Sequence, residues 1–190
     1  LSHHDVTVRF VEERQEQVAH DLARFPGVLR VELRRVVPAR VSRGHVAKRI
    51  PIFAEAAGSR LASHYDRAGA KVPLLGQGIV LTDHLARFLD VAPGGQVTVE
   101  FLAGRRAVRR VAVSQVVGEY IGMWARMDLA ALNQLMLEGA VADSADLAFD
   151  PLQSAELFRR LKDTPTVFSV SLQRAGLATF RAMLAENIVA

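Results

Sequence analysis

Few residues in this 190-residue chain have the type and spacing for chemistry. His45, His64 and His84 are scattered, and neither His64/Asp66 nor Asp83/His84 has the helical spacing of a metal site. HExxH is absent, as is the GxSxG elbow that presents a serine nucleophile to a base. The carboxylate pair Glu12/Glu13 lies in a charged amphipathic stretch and reads as solvated. Neither GxxxxGK[ST] nor GxGxxG occurs, and Gly76-Gln77-Gly78 leads into a strand pattern, so no phosphate loop is expected. The basic run Arg40, Arg43, His45, Lys48 and Arg49 surrounds an expected hairpin turn at Ser42-Arg43-Gly44 and reads as a solvated strand pair, with phosphate or headgroup contact as its functional alternative. The expectation is a protein without a catalytic, cofactor or metal site.

Two stretches of the chain echo one another. FPGVLRVELRR (Phe25–Arg35) returns as TPTVFSVSLQR (Thr164–Arg174), at a constant offset of 139 residues. Upstream, Val8 matches Leu147, Phe10 matches Phe149, Val18 matches Leu157 and Leu22 matches Leu161. Fixed-offset similarity of this kind marks a repeated structural unit. Each copy reads strand–helix–strand. Val6, Val8 and Phe10 alternate; Val11–Arg24 carries one apolar helical stripe; Phe25-Pro26-Gly27 breaks it; Leu29, Val31 and Leu33 alternate again. In the second copy the pieces are Ala145–Phe149, a helix from Pro151 through Leu161, and Val167–Leu172.

The predicted class is therefore α/β (α+β), with a discontinuous split βαβ–βαβ, ferredoxin-like subdomain and an inserted β-rich subdomain. The expected boundaries are 1–36 with 142–175 for the repeated layer and 37–141 for the insert, followed by a C-terminal helix over 176–190. Within the insert, Gly78–Leu81 is a buried strand and Thr82 or Asp83 caps a helix with Leu85, Phe88 and Leu89 inward. Val97–Phe101 and Val108–Val116 form a hairpin in a half-open barrel or sandwich, and Pro38 ends a strand or holds it at an edge. Asp128 caps a helix over Leu129–Leu137 that Gly139 ends. Between them Tyr120, Met123, Trp124 and Met127 form an irregular apolar loop, a candidate partner-contact patch.

Composition narrows the classes. Cysteine is absent, which excludes disulfides and thiolate chemistry. Half the residues are hydrophobic, enough for a real core, while the formal net charge of +4 is mild. A repeated βαβ layer is the scaffold of RNA-recognition modules, but Arg30, Glu32 and Arg34 in one copy and Ser169 and Ser171 in the other offer no aromatic pair for base stacking, so nucleic acid is not expected as a partner. No apolar run is long enough to span a bilayer.

The strings GIVLTDHLARFLDVAPGGQVTVEFL (78–102) and VSQVVGEYIGMWARMDLAALNQLM (113–136) resemble the extracytoplasmic region of FtsX-like/MacB-like ABC transporter permeases. Gly94-Gly95 stands where that family usually has glycine–aspartate, and Trp124–Asp128 where it often has alanine–tyrosine–methionine–aspartate. The resemblance implies a non-enzymatic domain of a cell-membrane protein, placed on the outer face between two transmembrane helices, in a permease that works as a pair. ATP would be hydrolysed by a separate cytoplasmic subunit or domain. Contacts with an envelope protein, a lipid or a lipoprotein cargo during export or envelope regulation are implied too. It carries no site residue over. The alternative is a soluble regulatory or ligand-binding α/β module, which requires a concave pocket with convergent polar groups.

Overall fold

A computed structural model describes residues 4–61, 66–119 and 122–172. The elements run β1 (His4–Gln15), α1 (Gln17–Ala23), β2 (Val28–Arg43), β3 (Val46–Glu55), β4 (Ile79–Thr82), α2 (Asp83–Leu89), β5 (Gln96–Phe101), β6 (Val108–Val117), β7 (Ala125–Asp128), α3 (Leu129–Leu135), β8 (Val141–Phe149), α4 (Ser154–Lys162) and β9 (Val167–Leu172). The helix expected over 176–190 lies outside the described residues. The chain divides into two compact units, Leu1–Leu33 with Ala142–Ala190, and Arg34–Val141.

In the first unit the strand order is β2-β8-β1-β9, with β1 and β9 antiparallel. Its core joins the repeat-equivalent residues: Val6 with Ala145, Val8 with Leu147, Phe10 with Phe149, and Leu22 with Leu161, all buried. Even the polar centre obeys the offset, since the Thr7 hydroxyl donates to Asp146 Oδ1 at 2.7 Å, 139 residues away. Phe158 meets Phe149 edge-on, ring centroids 5.6 Å apart. At Gly27 φ is +75°, and a Cβ there would lie 2.7 Å from Gln153 Cβ, so the turn between α1 and β2 requires glycine.

The first copy departs from expectation in its middle. β1 continues to Gln15, where a helix from Val11 was expected, and α1 has seven residues. The Val11 amide donates to the Thr166 carbonyl at 3.0 Å. That pairing prolongs the strand, leaving the Val11 side chain 57% exposed instead of in a helical stripe. Leu29 is also exposed.

The second unit is a closed barrel, not a half-open one. Around it the order is β3-β7-β4-β6-β5-β2, and β2 returns to β3. β3–β7 and β4–β6 are parallel and the other four pairings antiparallel. Ile52, Val41, Val99, Phe101 and Val113 fill the interior, with Leu85 and Leu89 of α2 and Leu132 of α3 packed against them. Thr82 caps α2, its hydroxyl accepting from the Leu85 amide. Phe88, expected inside, is exposed, as is Val108 at the start of β6. Leu137, not Gly139, takes the left-handed conformation after α3, at φ +57°.

Pro38 does not end its strand. β2 runs through it, and Pro38 stands directly opposite Pro51 of β3. Neither proline has an amide to donate, so the pair occupies a non-hydrogen-bonded position of the antiparallel ladder. Each also sits one residue before its strand meets a second neighbour: β5 from Ala39 and β7 from Ile52. The missing donors therefore cost the β2–β3 ladder no bond, while on its other side the Pro38 carbonyl accepts from the Leu102 amide at 2.9 Å.

Candidate functional site

The densest polar constellation lies in the barrel unit. Arg35 follows the inward parity of Val37, Ala39 and Val41 and is 1% exposed. Its Nη1 donates to Asn133 Oδ1 of α3 at 2.7 Å, and its Nη2 pairs with Glu138 Oε2 at 2.6 Å. Asn133 Nδ2 in turn donates to the Val141 carbonyl at 3.0 Å. α3 is held at its start by Asp128, which accepts from the Ala131 amide at 3.0 Å and from the Ala57 amide at 2.9 Å. Beside it, Glu55 of β3 and Arg126 of β7 are both buried and form an ion pair, with Arg34 Nε 3.9 Å from the second oxygen of Glu55.

This arrangement fixes elements in place. The planar guanidinium groups donate in fixed forks, and the carboxylates accept. No serine, cysteine or histidine is among these groups, and each carboxylate is engaged by a guanidinium or by backbone amides. Among the described residues no group of three or more His, Asp or Glu could hold a metal.

A second node sits at the start of α2. Asp83 pairs with Arg67, pairs with Arg87 at 3.1 Å, and accepts from the Glu119 amide at 3.2 Å. Burial pushes its carboxyl up, but the Glu119 amide and the Arg67 guanidinium outweigh this and hold it below its ordinary value. His84 lies in this node, whereas His45 sits exposed in the β2–β3 turn. His64 and Tyr120 lie outside the described residues.

The apolar loop expected over Tyr120–Met127 is only partly a loop. Ala125–Asp128 is strand β7, and Met127 is 1% exposed in the barrel core. Trp124 is half-buried and meets Phe53 edge-on at 6.0 Å, and Met123 packs against the core. Met127 is thus an internal packing residue, placed there by parallel pairing with Ala54 of β3. The groups that sequence reasoning missed are Arg35, Glu55, Arg126, Asn133 and Glu138. Only Arg35 carried a signal, a charge at a position whose parity is buried.

The first unit offers an apolar groove of about 550 Å³ between α4 and β9, lined by Phe158, Leu161, Phe168 and Val170, with Lys162 at its side. It does not gather the convergent polar groups of a small-molecule site.

No protein-family model matches the chain, and no curated protein matches it. Solved structures do. The periplasmic region of MacB from Actinobacillus actinomycetemcomitans is similar over 93% of this chain and 92% of that one, at 13% identity and a TM-score of 0.59. The extracellular domain of the noncanonic ABC-type transporter YknZ from Gram-positive bacteria is similar over 90% of this chain and 100% of that one, at 14% identity and the same TM-score. The chain has the fold of the extracytoplasmic domains of these ABC transporters.

Proposed function

We propose that this chain is the extracytoplasmic domain of an ABC transporter permease, working mechanically and not as an enzyme. The observation that carries the reading is the end-to-end match: both neighbours are covered almost completely, by nearly all of this chain. In this reading the repeated βαβ unit, a split ferredoxin-like layer, lies near the membrane and moves with the flanking transmembrane helices. The barrel unit meets the partner, an envelope protein, a lipid or a lipoprotein, while a cytoplasmic ATPase subunit supplies the energy. The cross-braced barrel supports the mechanical reading, because a body tied by buried ion pairs transmits a displacement instead of absorbing it.

The test uses the full-length protein in cells. The chain has no cysteine, so Arg105→Cys in the exposed β5–β6 turn adds one reporter to it. A membrane-impermeant maleimide should label that position in intact cells, or after outer-membrane permeabilisation where an outer membrane exists. Labelling only after lysis of the inner membrane overturns the assignment.

A further inference from the structure

The outer wall of the barrel carries a charge arrangement that folding alone does not favour. Arg40 of β2 stands directly opposite Arg49 of β3, and both are exposed. Their pairing class follows from the ladder. The Pro38–Pro51 pair is non-hydrogen-bonded, classes alternate, and Arg40–Arg49 is two residues further on. The hairpin agrees: the two-residue turn at Gly44-His45 closes on a hydrogen-bonded Arg43–Val46 pair, which gives Arg40–Arg49 the same assignment. Non-hydrogen-bonded partners approach most closely, with Cα atoms about 4.5 Å apart. Two guanidinium groups thus share one face at the tightest cross-strand spacing, where like charges destabilise.

The surroundings compensate that charge only in part. Among the described residues no acidic side chain pairs with Arg40, Arg49 or Arg110. The acid opposite Arg40 on its other side, Glu100 of β5, is paired with Arg106 at 3.7 Å. The next row along the same face is small: Ala47, Ser42 and Thr98, with Arg110 opposite Thr98. Small side chains and two hydroxyls therefore border the arginine pair on that side, with Arg110 further along the same row, two strands from β2.

We propose that Arg40 and Arg49 form an anion seat for a phosphoryl group on the barrel's outer wall. A tetrahedral phosphate presents enough oxygens for two planar guanidinium forks at once, which a single carboxylate serves less well. Binding converts a repulsive pair into two charge-assisted contacts. The same chemistry is offered by free phosphate and by the headgroup of an anionic phospholipid.

The experiment is thermal unfolding of the 190-residue chain in inorganic phosphate against sodium chloride at equal ionic strength, with flotation on vesicles of phosphatidylglycerol and phosphatidylcholine against pure phosphatidylcholine. The variants are Arg40→Gln/Arg49→Gln and, as a charge-matched control, Arg9→Gln/Arg24→Gln in the other unit, both exposed. Saturating phosphate should raise the wild-type and control midpoints by roughly 2–4 °C. The Arg40/Arg49 variant should start at an equal or higher midpoint in chloride, its repulsion gone, and lose the phosphate response. Flotation with anionic vesicles that the variant loses assigns the seat to a lipid headgroup; a phosphate response without flotation assigns it to a soluble phosphate. Neither phosphate response nor flotation, or either one retained by the Arg40/Arg49 variant, overturns the proposal.

Discussion

The two units reach stability by different means. The repeated layer is built from apolar residues that recur in pairs, and its buried Asp146 is met by the Thr7 hydroxyl. The barrel is equally apolar inside, yet it buries Arg35, Glu55 and Arg126, tied to Asn133, Glu138 and one another. Apolar contacts are non-directional and tolerate small shifts, while buried ion pairs hold only in one geometry. The layer is therefore specified by volume and the barrel by register.

Breaking one partner of a buried pair should produce the largest effect. Glu55→Leu leaves Arg126 buried without its carboxylate and should cost about 3–5 kcal/mol in urea unfolding. Adding Arg126→Met to Glu55→Leu should recover most of the loss, because it removes the orphaned charge. If the double variant is no better than the single one, the pair is not the source of the barrel's specificity.

The symmetry of the layer can be tested almost as strongly. Leu22→Ala and Leu161→Ala remove the same side chain from equivalent positions of the two copies, and each should cost about 2–5 kcal/mol. Similar losses would mean that the copies are equal partners in one core. A difference beyond experimental error would show that one copy carries the layer.

A smaller loss is expected at Gly78, which enters β4 at φ +79°. A Cβ there would lie 2.9 Å from the Ala112 carbonyl oxygen. Gly78→Ala should destabilise the chain by about 1–3 kcal/mol, through strain at the left-handed backbone and the close carbonyl. An effect near zero would show that the barrel's register is more forgiving than its ion pairs suggest.

Asp83 gives the smallest effect and a defined direction. Its carboxyl is depressed, so the contribution is present above the unfolded value and disappears as pH falls through the folded value. The Glu119 amide proton should titrate with a midpoint below about 3.9, the ordinary aspartate value. In Asp83→Asn that transition should vanish.

These contrasts also explain what the residues disclosed in advance. The layer was legible because Val6, Val8 and Phe10 alternate and return 139 positions later as Ala145, Leu147 and Phe149. Its one large error, the helix from Val11, arose because Val11, Val18 and Leu22 share a helical spacing, while the partner at Thr166 lies far along the chain. Barrel closure was not legible, because the β2–β3 hairpin is local but the ring shuts only when β2 also pairs with β5 and β3 with β7, partners far along the chain that no local pattern records. Glu55 directly follows the inward-facing Ala54, so alternation assigns it to solvent; only the neighbouring β7 makes it internal. Met127 was misplaced for the same reason, since a four-residue strand inside an apolar run has too few turns of pattern to be seen.

The closed ladder of the barrel bears on how such a domain can change over evolutionary time. An open sheet must keep charges and prolines on its edge to stop other chains from adding to it. A ring of strands has no such edge, so its outer positions are released from that duty and can be spent on partners. That freedom fits a fold shared with MacB and YknZ domains at only 13–14% identity. The wall can be rewritten while the ring stays shut.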